Sequence, residues 1–194
     1  LSSAAVMTQL TQALDQAQGF GYHSVGDVDK ALQGAATTLT ADYRAPYLAH
    51  ATMEPINCTV QFKDGAASVW TSTQVPGLAR MAAAKALGID DTKVTVHQLL
   101  LGGGFGRRLE VDYVAQAAAI AKTAGGAPVQ TLWSREQDMQ HDFYRPACVA
   151  RFKAGLDAQG QLVAWHNVSA GQAIVPHVLP RTFGLPGAGP DKTA

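Results

Sequence analysis

The sequence predicts an α+β fold, with mixed β-sheets and helices packed on one side of them. Two observations carry that prediction. Strand-like runs come in pairs around short polar turns. Residues 57–63 and 67–71 flank Asp64 and Gly65, and residues 148–155 and 162–169 flank Asp157-Ala158-Gln159-Gly160. Two helical stretches, residues 76–87 and 109–123, alternate with strands in β-α-β order.

In chain order, residues 2–16 read as a helix. Ser2 or Ser3 can cap it, and Val6, Leu10, Ala13 and Leu14 recur at helical spacing. Gly19-Phe20-Gly21 ends it, and Asp27 caps a second short helix through Leu32. Residues 37–43 alternate and are rich in β-branched side chains, a strand that Arg44-Ala45-Pro46 interrupts. The first hairpin follows. Pro76 suits the first turn of a helix that runs to Leu87 and is closed by Gly88.

Residues 94–100 form a fourth strand feeding a run of glycines. Residues 109–123 form an alanine-rich helix with Val114, Ala117, Ala118 and Ala121 on a close-packing face, stopped by Gly125-Gly126. A fifth strand, residues 129–133, precedes a helical turn capped by Ser134, with Glu136 and Asp138 near its positive end. After the second hairpin, Pro176, Pro180, Pro186 and Pro190 break regular structure. The chain therefore divides into an N-terminal helical segment 1–36, an α+β region 37–170 and an irregular Pro/Gly-rich tail 171–194. Trp70, Trp133 and Trp165 fall in strands and read as core.

The chain of 194 residues can build one sizeable core or two small ones. Apolar residues make up 47% and charged residues 15%, below the ~25% usual for soluble domains, which fits a piece that buries much of its surface against something else. Fifteen acidic and fifteen basic residues cancel, so nothing points to a nucleic-acid or membrane electrostatic footprint. No apolar run approaches the ~20 residues of a membrane helix. Cys58 and Cys148 lack zinc-ligand spacing and read as small buried apolar residues. The histidines other than His50 show no metal-ligand spacing either.

The chemistry-bearing stretch is residues 99–110, where an apolar run meets Gly102, Gly103, Gly104, Phe105 and Gly106, then Arg107 and Arg108. Glycine admits positive φ and lets a ligand approach main-chain N–H groups. The start of a helix just afterwards adds unpaired donors and a partial positive charge. The physics is that of an anion or cofactor loop. No Lys-Ser or Lys-Thr closes it as in a P-loop, and G-x-G-x-x-G is met only loosely.

Gly-Gly-Gly-Phe-Gly before a helix resembles the cofactor loop of the large, molybdenum-binding subunit in the xanthine dehydrogenase and aldehyde oxidase family. With Arg-Arg-Leu-Glu after it, it looks most like the isoquinoline 1-oxidoreductase beta-subunit branch. The upstream stretch from Pro46 through His50, Met53, Glu54 and Asn57 to Thr59, and the triplet Ser72-Thr73-Gln74, resemble that branch in order and spacing.

The resemblance implies a molybdopterin cofactor, expected in its cytosine dinucleotide form, held through Gly103, Gly104, Phe105, Gly106 and Arg107. It implies oxidation of an N-heterocycle or aldehyde with water-derived oxygen, with electrons leaving through a small iron–sulfur subunit. It also implies that the chain is a fragment completed by the remainder of the large subunit. The family's catalytic glutamate lies in that remainder, so the fragment is expected to be inactive alone and to hold no cofactor in isolation. No catalytic residue and no metal ligand is assigned here.

Other positions stay open. One of Arg107 and Arg108 binds a cofactor phosphate or a partner subunit, or both are solvated or pair with Glu110 and Asp112. His50 and Glu54 form an acid–base-like pair, although the family uses the Glu54 position for structure near the cofactor and places a molybdenum-facing glutamine near Leu48. Gln74 bonds the pterin or a neighbouring loop, or caps a strand-to-helix junction. The rival function is a stand-alone binding or scaffolding domain with a phosphate-binding glycine loop.

Overall fold

A computed structural model describes residues 2–16, 19–183 and 186–187. Its helices are α1 (Ser3–Gln16), α2 (Val28–Gln33), α3 (Pro76–Leu87), α4 (Asp112–Ala121), α5 (Arg135–Gln140) and α6 (Val175–Phe183). Its strands are β1 (Thr37–Ala45), β2 (Asn57–Lys63), β3 (Ala66–Thr71), β4 (Val94–Gln98), β5 (Val129–Leu132), β6 (Cys148–Leu156) and β7 (Leu162–Gly171).

The division into units differs from the sequence expectation of 1–36, 37–170 and 171–194. One compact unit joins residues 1–48 to 145–194, and the other is the continuous stretch 49–144. The physical reason is strand pairing. β1 runs antiparallel to β6, with Asp42 opposite Arg151, so the first strand joins the last hairpin across everything between. The tail is also more regular than expected. β7 runs on to Gly171, and Pro176 and Pro180 do not prevent α6. A proline in the first helical turn forfeits an N–H that has no partner there anyway, and Pro180 removes a single bond. Residues 184–185 and 188–194 of the expected tail lie outside the described residues.

In the first unit the sheet order is β1-β6-β7. The α1 residue Asp15 meets Arg151 on one face at 2.6 Å, and α2 packs on that same face through Leu32 against Gly155. The other face carries Leu39, Tyr43, Phe152 and Trp165 around a hollow of about 650 Å³.

In the second unit the sheet order is β4-β3-β2-β5, with β3 and β4 parallel and the other pairs antiparallel. Both α3 and α4 lie on one face. Cys58 and Val60 of β2 and Val69 of β3 point into them, against Ala79, Ala83, Val114, Ala117, Ala118 and Ala121. The alanines let backbones approach closely, and each fully buried valine contributes roughly 1.5–3 kcal/mol. Helices on one side of mixed sheets is the expected α+β class.

Period two also corrects a reading. Trp70 alternates with Val69, so it faces away from the helices, half-buried and stacked on His97 at 5.0 Å. Trp165 is 56% exposed, so neither it nor Trp70 is core, whereas Trp133 is half-buried and packs against the core of the second unit. Cys58 is buried, whereas Cys148 is only half-buried.

Candidate functional site

The topology of the second unit gathers four stretches at one sheet end. β3 and β4 are parallel, with Thr71 opposite Gln98, so the segments after both leave the sheet together. β2 is antiparallel to β3 and to β5, so the segment before Asn57 and the segment after Leu132 reach the same end. Ligand crevices form outside the carboxyl ends of parallel strands for this reason.

The glycine run leaves β4 there. Gly103 and Gly106 have φ of 103° and 102°, and Phe105 also sits at a positive φ of 53°. Gly102 and Gly104 are needed for space instead. A Cβ on Gly102 would stand 2.3 Å from Glu54 Cβ, and one on Gly104 would stand 2.7 Å from Gln74 Oε1. Two kinds of glycine requirement therefore overlap in five residues.

The loop is held from beneath by Arg108, whose side chain is fully buried. Its Nε donates to Gly103 O at 2.8 Å, Nη1 to Ser72 Oγ at 2.7 Å, and Nη2 to Glu54 Oε2 at 2.8 Å. Glu54 in turn accepts from Gly102 N–H at 2.9 Å, Ser72 Oγ at 3.1 Å and Asn57 Nδ2 at 2.8 Å. Burial pushes the Glu54 carboxyl up, but the bonds from Asn57 and Gly102 with the Arg108 charge outweigh it and hold the carboxyl below its ordinary value. Gln74 Oε1 accepts from Gly106 N–H at 3.2 Å, so Gln74 ties down a neighbouring loop and does not cap α3. The three stretches singled out in the sequence are thus one hydrogen-bonded assembly.

Arg107 is turned inward as well. Its side chain is 1% exposed and grips Asp112 through two bonds of 3.0 Å, the pairing alternative weighed from sequence. Its Nε lies 3.1 Å from Asp142, and Trp133 and Phe143 face the guanidinium. Burial opposes its charge, and Asp112, Asp142 and Asp138 together more than offset that. Asp142 and Arg135, which donates to the carbonyls of Thr52 and Met53, carried no sequence signal. They follow β5 in a stretch without a motif.

A family model for the molybdopterin cofactor-binding domain matches residues 12–173. The chain belongs to that family. The isoquinoline 1-oxidoreductase subunit beta of Brevundimonas diminuta is 37% identical over 143 residues, 73% of this chain and 17% of that protein. The membrane-bound aldehyde dehydrogenase (pyrroloquinoline-quinone) of Gluconacetobacter polyoxogenes is 36% identical over 137 residues, 71% of this chain and 18% of that protein. Quinoline 2-oxidoreductase from Pseudomonas putida 86 shares the fold, with a TM-score of 0.61 at 18% identity over 74% of this chain and 18% of that one. The chain spans less than a fifth of the length of these relatives. A molybdopterin-binding family that includes oxidoreductases disfavours a stand-alone scaffolding domain.

The glycine loop has a geometry that fits such a group. Gly106 N–H and Gly102 N–H have protein acceptors, but among the described residues the N–H groups of Gly103, Gly104 and Phe105 have none. Gly104 is buried all the same. Phe105 is 72% exposed and Leu100 is 96% exposed, so the turn opens outward. Consecutive unpaired donors on a rigid, side-chain-poor turn suit an anionic ligand. Among the described residues no cluster of three His, Cys, Asp or Glu side chains stands ready to hold a metal ion, and no helix is long and apolar enough to cross a membrane.

Proposed function

We propose that this chain carries the cofactor loop of a molybdenum hydroxylase large subunit that oxidises an N-heterocycle, isoquinoline-like, or an aldehyde. The supporting observation is the run of donors at Gly103, Gly104 and Phe105, left without acceptors on a turn that Arg108 and Glu54 hold rigid. Relatives named for isoquinoline and for aldehydes support the substrate class. When bound, the cofactor supplies two-electron oxidation with oxygen drawn from water.

The main chain of Gly103, Gly104, Phe105 and Gly106 holds the pterin side of the group, in the cytosine dinucleotide form. Arg107 supports the loop from within: its N–H donates to Gly104 O, and its guanidinium anchors the loop to Asp112 and Asp142. Exposed Leu100 and Met53 meet the remainder of the large subunit, and a small iron–sulfur subunit takes the electrons. The carboxylate that moves the substrate proton lies in that remainder. Isolated residues 1–194 are inactive and hold no cofactor.

Phe105→Glu tests the reading in the holoenzyme. It places a negative charge beside the donor run at an exposed position, so the fold has no reason to change. Molybdenum and pterin content should fall several-fold with an unaltered far-UV circular dichroism spectrum. Wild-type cofactor content in that variant would sink the assignment.

A further inference from the structure

We propose that His50 is a ligand-contacting residue of this same site, presenting Nε2 to the molybdopterin bound against Gly106. The inference rests on the cofactor reading above and adds a side chain to a site otherwise made of main chain.

The geometry is built around Asp142, whose side chain is 2% exposed. The His50 ring is nine-tenths buried, at 9% exposure, and its Nδ1 lies 2.9 Å from both Asp142 oxygens. The His50 main-chain N–H donates to the same carboxylate. An ionised carboxylate only accepts, so the shared proton sits on Nδ1 and the ring is fixed in orientation. Arg107 Nε lies 3.1 Å from the same carboxylate, although its two terminal nitrogens are committed to Asp112.

Nε2 is the atom left over. Among the described residues it has no hydrogen-bond partner, and it lies against the loop, 3.6 Å from where a Cβ on Gly106 would be. Two buried residues are committed to aiming one polar atom at a glycine that leaves the space open. Nε2 accepts from a pterin N–H when the ring is neutral and donates to a cofactor oxygen when the ring is protonated, so in either state it offers the bound group one hydrogen bond.

The test uses holoenzyme variants. His50→Asn retains an atom that bonds Asp142 and deletes Nε2, whereas His50→Gln reaches the Nε2 position. Release of pterin from the holoenzyme is followed by its fluorescence below the unfolding temperature, and melting of the cofactor-free protein is measured in parallel. His50→Asn should release on the order of fivefold faster with unchanged melting, and His50→Gln should come close to wild type. Wild-type release in His50→Asn overturns the proposal, as does equally faster release in both variants with lowered melting, which marks a packing role. The nitrogen-15 shift of His50 Nε2 in the wild-type holoenzyme and in the cofactor-free protein decides the matter independently if His50→Asn does not fold: a hydrogen-bond shift on loading supports the proposal and an unchanged signal overturns it. A wild-type protein that never holds molybdopterin would instead remove the cofactor reading and this inference with it.

Discussion

Arg108 and Glu54 meet at 2.8 Å, and through that pair the segment before β2, the segment after β3 and the glycine loop become one unit. The guanidinium is fully buried, while the Glu54 side chain is 31% exposed. The Coulombic part is therefore partly screened, and the firmer contribution is the set of acceptors that Arg108 satisfies at Gly103 O, Ser72 O and Glu54 O. Arg108→Met should cost about 3–5 kcal/mol, because it strands those acceptors without water. Arg108→Lys keeps the charge but not the fork, and should recover less than half. Urea unfolding of the three proteins checks the order. A methionine variant as stable as wild type would mean that the network is ornamental.

The same pair sets an acid limb. The folded Glu54 carboxyl titrates below its ordinary 4.5, so near that pH the unfolded chain binds more protons than the folded one. The resulting stability is complete above pH 4.5 and is lost as pH falls through the lower folded value. Glu54→Gln removes that proton linkage. Its unfolding free energy should be lower than wild type at pH 7, and the gap should narrow as the pH is taken below 4.5. Parallel curves down to pH 3 would contradict the assignment.

Glycine substitutions should separate space from backbone freedom. Gly77 sits in α3, exposed, with nothing within 4 Å of where a Cβ would stand and no positive φ. Gly77→Ala should stabilise by about 0.5–1 kcal/mol through helix propensity and unfolded-state entropy. Gly102→Ala meets Glu54 Cβ at 2.3 Å and must push the network apart, costing about 1–3 kcal/mol. Thermal melts of both variants suffice. Equal effects would show that the loop yields freely.

Local chemistry made much of this legible. Asn57–Lys63 and Pro76–Leu87 have the boundaries their sequence signals give, because Asp64-Gly65 turns the chain and Gly88 adopts a left-handed cap with φ of 75°. The glycine loop was readable because its demand for absent side chains is written in the residues themselves. What stayed hidden depends on long-range pairing. Nothing near Asp42 announces Arg151, so the discontinuous unit could not be read. Arg107 shows the limit at the site. A charged residue after a glycine loop looks like a ligand-binding group until Asp142, thirty-five positions on, is seen to share its burial.

Cys58 offers a direct probe of the second unit's core. Its side chain is fully buried between the sheet and α4, and desolvation drives its thiol up to about 11, with Thr71 opposing only weakly. At pH 8 about one thiol in a thousand is then ionised, and the thiolate is the reactive form. Iodoacetamide should label the folded chain first at half-buried Cys148. Cys58 should react only as fast as the core opens, so its labelling rate should climb with urea while that of Cys148 changes little. Cys58→Ser should abolish the slow phase and leave the fast one. If both thiols react together in the native protein, the β2–α4 packing that places the glycine loop is not as tight as the structure draws it.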